Sequence, residues 1–342
     1  MDITDESFEA LKKKKLYGQP QNLNELTDLP AVSGFDFEKD VDLTSLLQSF
    51  MTTGFQATHL SQAINVVKTM RREGAKIYLT FTSNMISSGL RDIISYLVKH
   101  NLVDVLVTSA GGVEEDIMKI KAPFRLGSFE HASSMLFENG VFRIGNILVP
   151  NTRYAYLETF IDSFFAKLYA ENKKTLATHE FVHELGKSLS ESSDIGDVES
   201  SYIYWAYKNN IPVFCPGLVD GAIGDLVSFF RYNHKDFCID TAGDSEKINR
   251  MTLQFEKTGV ICLGAGLPKH FALNANILRD GFDYAVYINT AQEFDGCDSG
   301  ARIDEAKTWS KIKMNAFSVK VHCDATIAFP LLVAGAFQKN SV

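Results

Sequence analysis

Five short apolar runs punctuate the chain, each rich in β-branched residues: KIYLTF from Lys76, VDVLV from Val103, IPVFC from Ile211, GVICL from Gly259 and DYAVYI from Asp283. The first four lead through loops of small residues into helical patterns: T-S-N-M-I-S-S-G (82–89), T-S-A-G-G (108–112), P-G-L-V-D-G-A-I-G-D (216–225) and G-A-G-L-P-K-H (264–270). The fifth leads into a long acidic loop. Continuous apolar runs without polar alternation are what strands buried on both faces require. The pattern predicts an α/β, Rossmann-like fold: a largely parallel sheet with helices on both faces. Ligands of such sheets bind outside the carboxyl ends of the strands, so the five loops converge on one cleft. Ahead of the first run, VDLTSLLQSF and HLSQAINVVKTM read as helices parted by a Thr-Thr-Gly break. Residues 1–40 are polar, with Lys12–Lys15 in a row and Pro20 and Pro30, and read as an arm preceding a single large domain over 41–342. Residues 152–200 are more polar and helical, as an insertion over one face would be.

No membrane span or export signal is expected. The longest apolar run, Thr326–Ala334, is too short for a bilayer and contains Pro330, and the N-terminus lacks a cationic-then-apolar leader. Five cysteines (215, 238, 262, 297, 323) stand far apart with no C-x-x-C pair, as in a reducing, cytoplasmic compartment. A net charge of −8 argues against a nucleic-acid surface and suits cationic ligands.

The acidic loop is where that charge is concentrated. Asn289–Lys313 carries Glu293, Asp295, Asp298, Asp304 and Glu305 around glycines, then Trp309 and Lys311. If a helix opens at Asp304, that residue and Lys311, seven apart, share a face beside Glu305 and Trp309; the competing picture buries Trp309 and leaves Lys311 in water. Glu114 and Glu115 follow the second loop, Asp220 and Asp225 flank G-A-I-G, and His270 closes the fourth loop. Each has an ordinary role as a helix cap, yet around one cleft they make an anionic pocket for amines with a histidine base beside it. The Ser, Thr and Gly of the first two loops suit phosphate at helix N-termini, although tight turns need glycine in any case. One rival motif stands apart: His179-Glu180-Phe181-Val182-His183 matches H-E-x-x-H, and Gly186 falls where the longer zinc signature wants glycine. Leu189 replaces its third histidine, leaving Glu184, Asp194, Asp197 or Glu199 as substitutes, and no metal site is expected.

In this order the stretches resemble deoxyhypusine synthase. The match rests on F-M-T-T-G-F-Q-A-T (50–58), the two Ser/Thr loops with V-E-E-D, R-I-G-N-I-L-V-P-N (143–151), I-P-V-F-C-P-G-L-V-D-G-A-I-G-D (211–225), K-H-F-A-L-N-A-N (269–276), Y-A-V-Y-I-N-T-A-Q-E-F-D-G-C-D-S-G-A-R (284–302) and W-S-K-I-K (309–313). The resemblance implies an NAD-dependent transferase. It moves the 4-aminobutyl group of spermidine to one lysine of the eukaryotic initiation factor 5A precursor, the first step of hypusine biosynthesis. Lys311 is implied as the nucleophile carrying the butyl group as an imine, and His270 as the base. Spermidine contacts are implied at Glu114, Glu115, Asp225, His270, Gly296, Cys297, Asp298, Glu305 and Trp309. NAD contacts are implied at Thr82, Ser83, Asn84, Ser87, Ser109, Ala110, Gly111, Glu115, Asp220, Ala265, Thr290, Ala291, Asp324 and Ala325. A homotetramer with active sites at its dimer interfaces, and an arm that covers the active-site entrance, are implied as well.

Three departures stand out. Ala265 replaces the middle glycine of a G-G-G turn, Cys297 replaces a serine, and Lys307 adds a cation near Lys311. A regulatory, poorly active subunit is the alternative role for such a chain.

Overall fold

A computed structural model describes residues 5–16, 28–192 and 195–337. They group into two compact units, one ending at Thr58 and the other beginning at His59. In the first, the helix Asp5–Leu16 carries Lys13, Lys14 and Lys15 in its last turn, where cations suit the carbonyl end of the dipole. Asp42 opens the helix Leu43–Thr53 by accepting the Ser45 N–H at 3.0 Å. Gly54, at φ 98°, ends it where the Thr-Thr-Gly break predicts. Ser33 N–H donates to Thr52 O at 3.0 Å, fastening the stretch before this helix to its end. Pro20 lies outside the described residues.

The second unit is built on a sheet. In chain order the strands are β1 (Lys76–Phe81), β2 (Val105–Val107), β3 (Arg125–Leu126), β4 (Val141–Ile144), β5 (Ile147–Pro150), β6 (Thr175–Ala177), β7 (Val213–Phe214), β8 (Cys238–Asp240), β9 (Thr258–Leu263), β10 (Phe282–Asn289) and β11 (Ile312–His322). Six of them pair in the order β11-β10-β9-β1-β2-β7, every pair parallel. From β1 the chain winds outward through β2 to β7, then returns to β9 and winds the other way to β11. This is the doubly wound order, with its switch point between β1 and β9.

All five apolar runs are strands of this sheet, and β9 is buried at every position. Tyr78, Phe282 and Tyr287 anchor the core. Tyr78 meets Phe282 edge-on at 5.2 Å between centroids and shares a 2.6 Å hydrogen bond with Thr252, so its buried hydroxyl is satisfied. Each such buried aromatic contributes about 1.5–3 kcal/mol. The sixth strand, β11, was not foreseen. As an edge strand it alternates polar and apolar residues and lacks the continuous apolar run that marks the other five.

Two smaller sheets were also missed: the antiparallel β3-β5-β4 and the pair β6-β8. Residues 152–200 are largely helical, in Thr152–Ala170 and Thr178–Glu191, and they supply β6 as well. Among the described residues no helix is long and apolar enough to cross a membrane.

Candidate active site

At the switch point the loops after β1, β9, β10 and β11 enclose a cavity of about 290 Å³. Thr82, Asn84, Ala265, Thr290, Ala291, Asp324 and Ala325 line it, together with Ser299 and Cys323, which drew no separate attention in the sequence. Asn289 is the joint. Its side chain donates to Gly264 O (3.3 Å) and accepts the Ala291 N–H (3.2 Å), locking the β9 and β10 loops together. Gly264 needs to be glycine: its φ is 73°, and a Cβ there would meet Thr82 Oγ1 at 2.7 Å. Gly266 has φ 68°, whereas Ala265 between them lies at an extended −165° that any residue adopts. The unusual alanine is therefore accommodated without strain, and it lines the cavity.

Beside this cavity the helix Ala110–Lys121, following β2, packs on the short helix Ser83–Ser87 that follows β1. The Ser83 N–H donates to Ser109 Oγ at 3.0 Å, and the Ser87 hydroxyl donates to Glu115. Gly111 lies so close that a Cβ would stand 2.8 Å from that of Ser83. Glu114 accepts the Ile223 N–H at 2.8 Å at the start of the helix Ala222–Phe230, whose first turn carries the exposed Asp225. Burial pushes Glu114 up to about 7 against the pull of the Ile223 bond, and Asp225 and Asp220 add to the rise. Burial likewise lifts Glu115 to about 7, although the Ser87 bond and Lys119 resist it.

A second cluster surrounds Lys311. The helix Ile303–Thr308 ends before that lysine, which sits just ahead of β11, so Asp304 and Lys311 do not share a helix face. The competing picture is reversed too, for Lys311 is 9% exposed and Trp309 64%. Lys311 Nζ lies 3.1 Å from His270 Nε2 and 5.8 Å from the Trp309 ring centroid. Asn274, one turn beyond His270, stands 3.2 Å from its Nδ1. Burial lowers the pKa of Lys311, with nearby Lys269 adding to the drop and Asp298 and Glu305 opposing it. Burial and the charge of Lys311 also lower that of His270. The result is a lysine whose neutral, nucleophilic form is made more accessible, in contact with a base.

Lys269, 1% exposed, is given no role by the sequence although it stands next to His270. Its ammonium holds the Asp298 backbone carbonyl and lies 3.3 Å from the Asp298 carboxylate. Lys307, by contrast, donates to Met314 O at 3.2 Å and is not among the charges acting on Lys311. Gly296 (φ 73°) and the exposed Cys297, whose N–H donates to Asp295 at 2.8 Å, form the outer turn of the same loop.

Among the described residues no hydrogen bond or ion pair joins Lys311 or His270 to Glu114, Glu115 or Asp225. The elements that carry the two groups lie towards opposite edges of the sheet: Lys311 precedes β11, and the acids follow β2 and β7. Four inter-strand steps separate β11 from β2, roughly 19 Å.

In the H-E-x-x-H stretch, Glu180 accepts the Ala177 N–H at 2.9 Å and so caps the helix Thr178–Glu191. His179 is held through Nδ1 by the buried Asp244 at 2.7 Å. Gly186 allows close helix packing, since a Cβ would lie 2.8 Å from Ile203 O. Glu184 pairs with Lys173, and no group of three metal-ligating side chains occurs among the described residues; Asp194 lies outside them.

The fold is α/β, with a cavity at the switch point of a doubly wound sheet. A family model for deoxyhypusine synthase matches residues 45–336. Deoxyhypusine synthase of Senecio vernalis is 47% identical over 90% of this chain and 88% of its own, and that of Arabidopsis thaliana 46% over 90% and 89%. A solved structure from Entamoeba histolytica that carries the deoxyhypusine synthase name superposes with a TM-score of 0.63 at 28% identity, covering 90% of this chain and 96% of the other. The chain belongs to the deoxyhypusine synthase family, and with it to the transferases of hypusine biosynthesis.

Proposed function

We propose that this enzyme uses NAD to move the 4-aminobutyl group of spermidine onto a lysine of the eukaryotic initiation factor 5A precursor, through an imine on Lys311. The observation that carries the reading is the buried Lys311 Nζ, 3.1 Å from His270 Nε2 in a chain of this family. The switch-point cavity suits NAD. The helices Ala110–Lys121 and Gly266–Ala275 begin beside it with no side-chain cap on their first N–H groups, which leaves them open to a pyrophosphate. NAD, when bound, supplies the hydride acceptor for oxidising the amine and the hydride donor for reducing the product.

The protein's own residues do the rest. Glu114, Glu115 and Asp225 hold the ammonium groups, with Asp298 and Glu305 at the lysine end and Trp309 lining the chain. Neutral Lys311 adds to the oxidised carbon, 1,3-diaminopropane leaves, and the butyl group remains as a Schiff base until the acceptor lysine displaces Lys311. His270 takes up and returns the protons of these additions. Because the acids and Lys311 belong to opposite sides of one sheet, a second copy of the chain brings its acid cluster to face Lys311, in a homotetramer of paired chains. Five free cysteines suit work in the cytoplasm.

The test is incubation with spermidine and NAD, borohydride reduction and peptide mapping. A butylamine adduct on the Lys311 peptide is expected, and none in Lys311→Arg. Absence of the adduct in a wild-type enzyme that binds NAD would sink the mechanism.

A further inference from the structure

We propose that Lys119, which carries no role in the scheme above, is a positioning residue for the cofactor-facing loop after β1; the inference rests on the reading of the switch-point cavity as the NAD site. Its ammonium donates to three carbonyls, Ile86 O (2.6 Å), Ser87 O (2.6 Å) and Ser88 O (3.0 Å). An ammonium has three N–H groups, so all are used. These carbonyls end the helix Ser83–Ser87, whose beginning, at Thr82, Asn84 and Met85, forms the cavity wall. A helix this short does not stand alone and is held by what it packs on.

What it packs on is the helix Ala110–Lys121, which grips it at three places. Ser109 accepts the Ser83 N–H, Glu115 accepts the Ser87 hydroxyl, and Lys119, one turn after Glu115 on the same face, closes the far end. The Phe124 ring lies 5.1 Å from the Lys119 ammonium on the other side. Arg91, Asp92, Glu115 and Asp116 are the charges around it, and burial, with Arg91 adding to it, pushes the ammonium down to about 8. The ammonium is half-buried, and its hydrogen bonds offset the cost of removing its charge from water. What they hold is the far end of the short helix whose beginning lines the cavity.

The experiment measures NAD affinity of the full chain by fluorescence titration, amide exchange over residues 82–89 without NAD, and kcat at saturating NAD. For Lys119→Met the expectation is NAD binding weaker by at least about tenfold, from loss of charge-assisted bonds. Faster exchange in 82–89 accompanies it, with kcat little changed. Lys119→Arg falls between, because a planar guanidinium cannot serve three converging carbonyls equally. A Lys119→Met protein with wild-type NAD affinity overturns the inference. If that variant does not fold, Lys119→Arg decides: weakened NAD binding with kcat retained supports the role, and wild-type affinity overturns it. A wild-type chain that binds no NAD overturns the cofactor reading itself, an outcome distinct from equal binding by wild type and variant.

Discussion

Lys311 and Trp309 show how far single residues can be read. Both lie in one short motif, and their burial runs opposite to what polarity suggests, with the cation inside and the ring outside. On the proposed mechanism the buried lysine reacts beside the histidine, and the exposed ring covers the polyamine. His270→Ala is expected to lower kcat by about a hundredfold and to leave NAD affinity unchanged, since His270 does not line the cavity. Steady-state kinetics alongside NAD titration separates the two. Glu114 and Glu115 give a pH signature with a definite sign. Their carboxyls rise from 4.5 to about 7 in the fold, so the folded chain favours the protonated form. The stability they contribute is complete below about pH 4.5 and is lost as pH rises through about 7. Melting curves across that range are expected to flatten in Glu114→Gln. A polycation needs the ionised acids, so spermidine binding near pH 6.5 is expected to release protons. Calorimetry in buffers of different ionisation enthalpy reads this directly.

At the scale of elements, the strand–loop–helix units were legible because a buried parallel strand must be apolar throughout, and five runs met that demand. β11 escaped because it is an edge strand among the described residues, and its Lys313, Asn315, Ser318 and Lys320 break up the continuous apolar run by which the other five were recognised. The Gly264-Ala265-Gly266 turn makes a sharper point. Neighbouring small residues have unequal demands, which the backbone angles set and composition does not. Gly264→Ala is expected to cost about 1–2 kcal/mol from its left-handed φ alone, and more from the Thr82 contact; Ala265→Gly should change stability by well under that. Urea unfolding of the two variants checks the contrast. The H-E-x-x-H stretch is the opposite lesson: the right letters on a helix, but with Glu180 at its first turn, where capping claims the carboxylate.

At the scale of the whole molecule, one chain carries the acids and the lysine towards opposite edges of its sheet, and the function proposed above assigns their meeting to a pair of chains. Lys311→Ala and Asp225→Ala chains, each inactive alone, are expected to regain activity when unfolded together and refolded as a mixture. A pair joining one of each has one site free of both changes; continued inactivity of a mixture shown by mass spectrometry to contain mixed pairs would rule out shared sites. By itself the sequence determined five of the six strands of the main sheet, the small-residue loops that follow them and the residue types available there. These follow from local rules: apolar runs for buried strands, glycine for positive φ, small residues for turns. Only the tertiary structure decided which of these residues meet. It buried Lys311 against His270, brought Lys269 to Asp298, gave Lys119 three carbonyls and left Trp309 in water. Burial and contact depend on elements far apart in the chain, and no local pattern encodes the desolvation that shifts Glu114, Glu115 and Lys311.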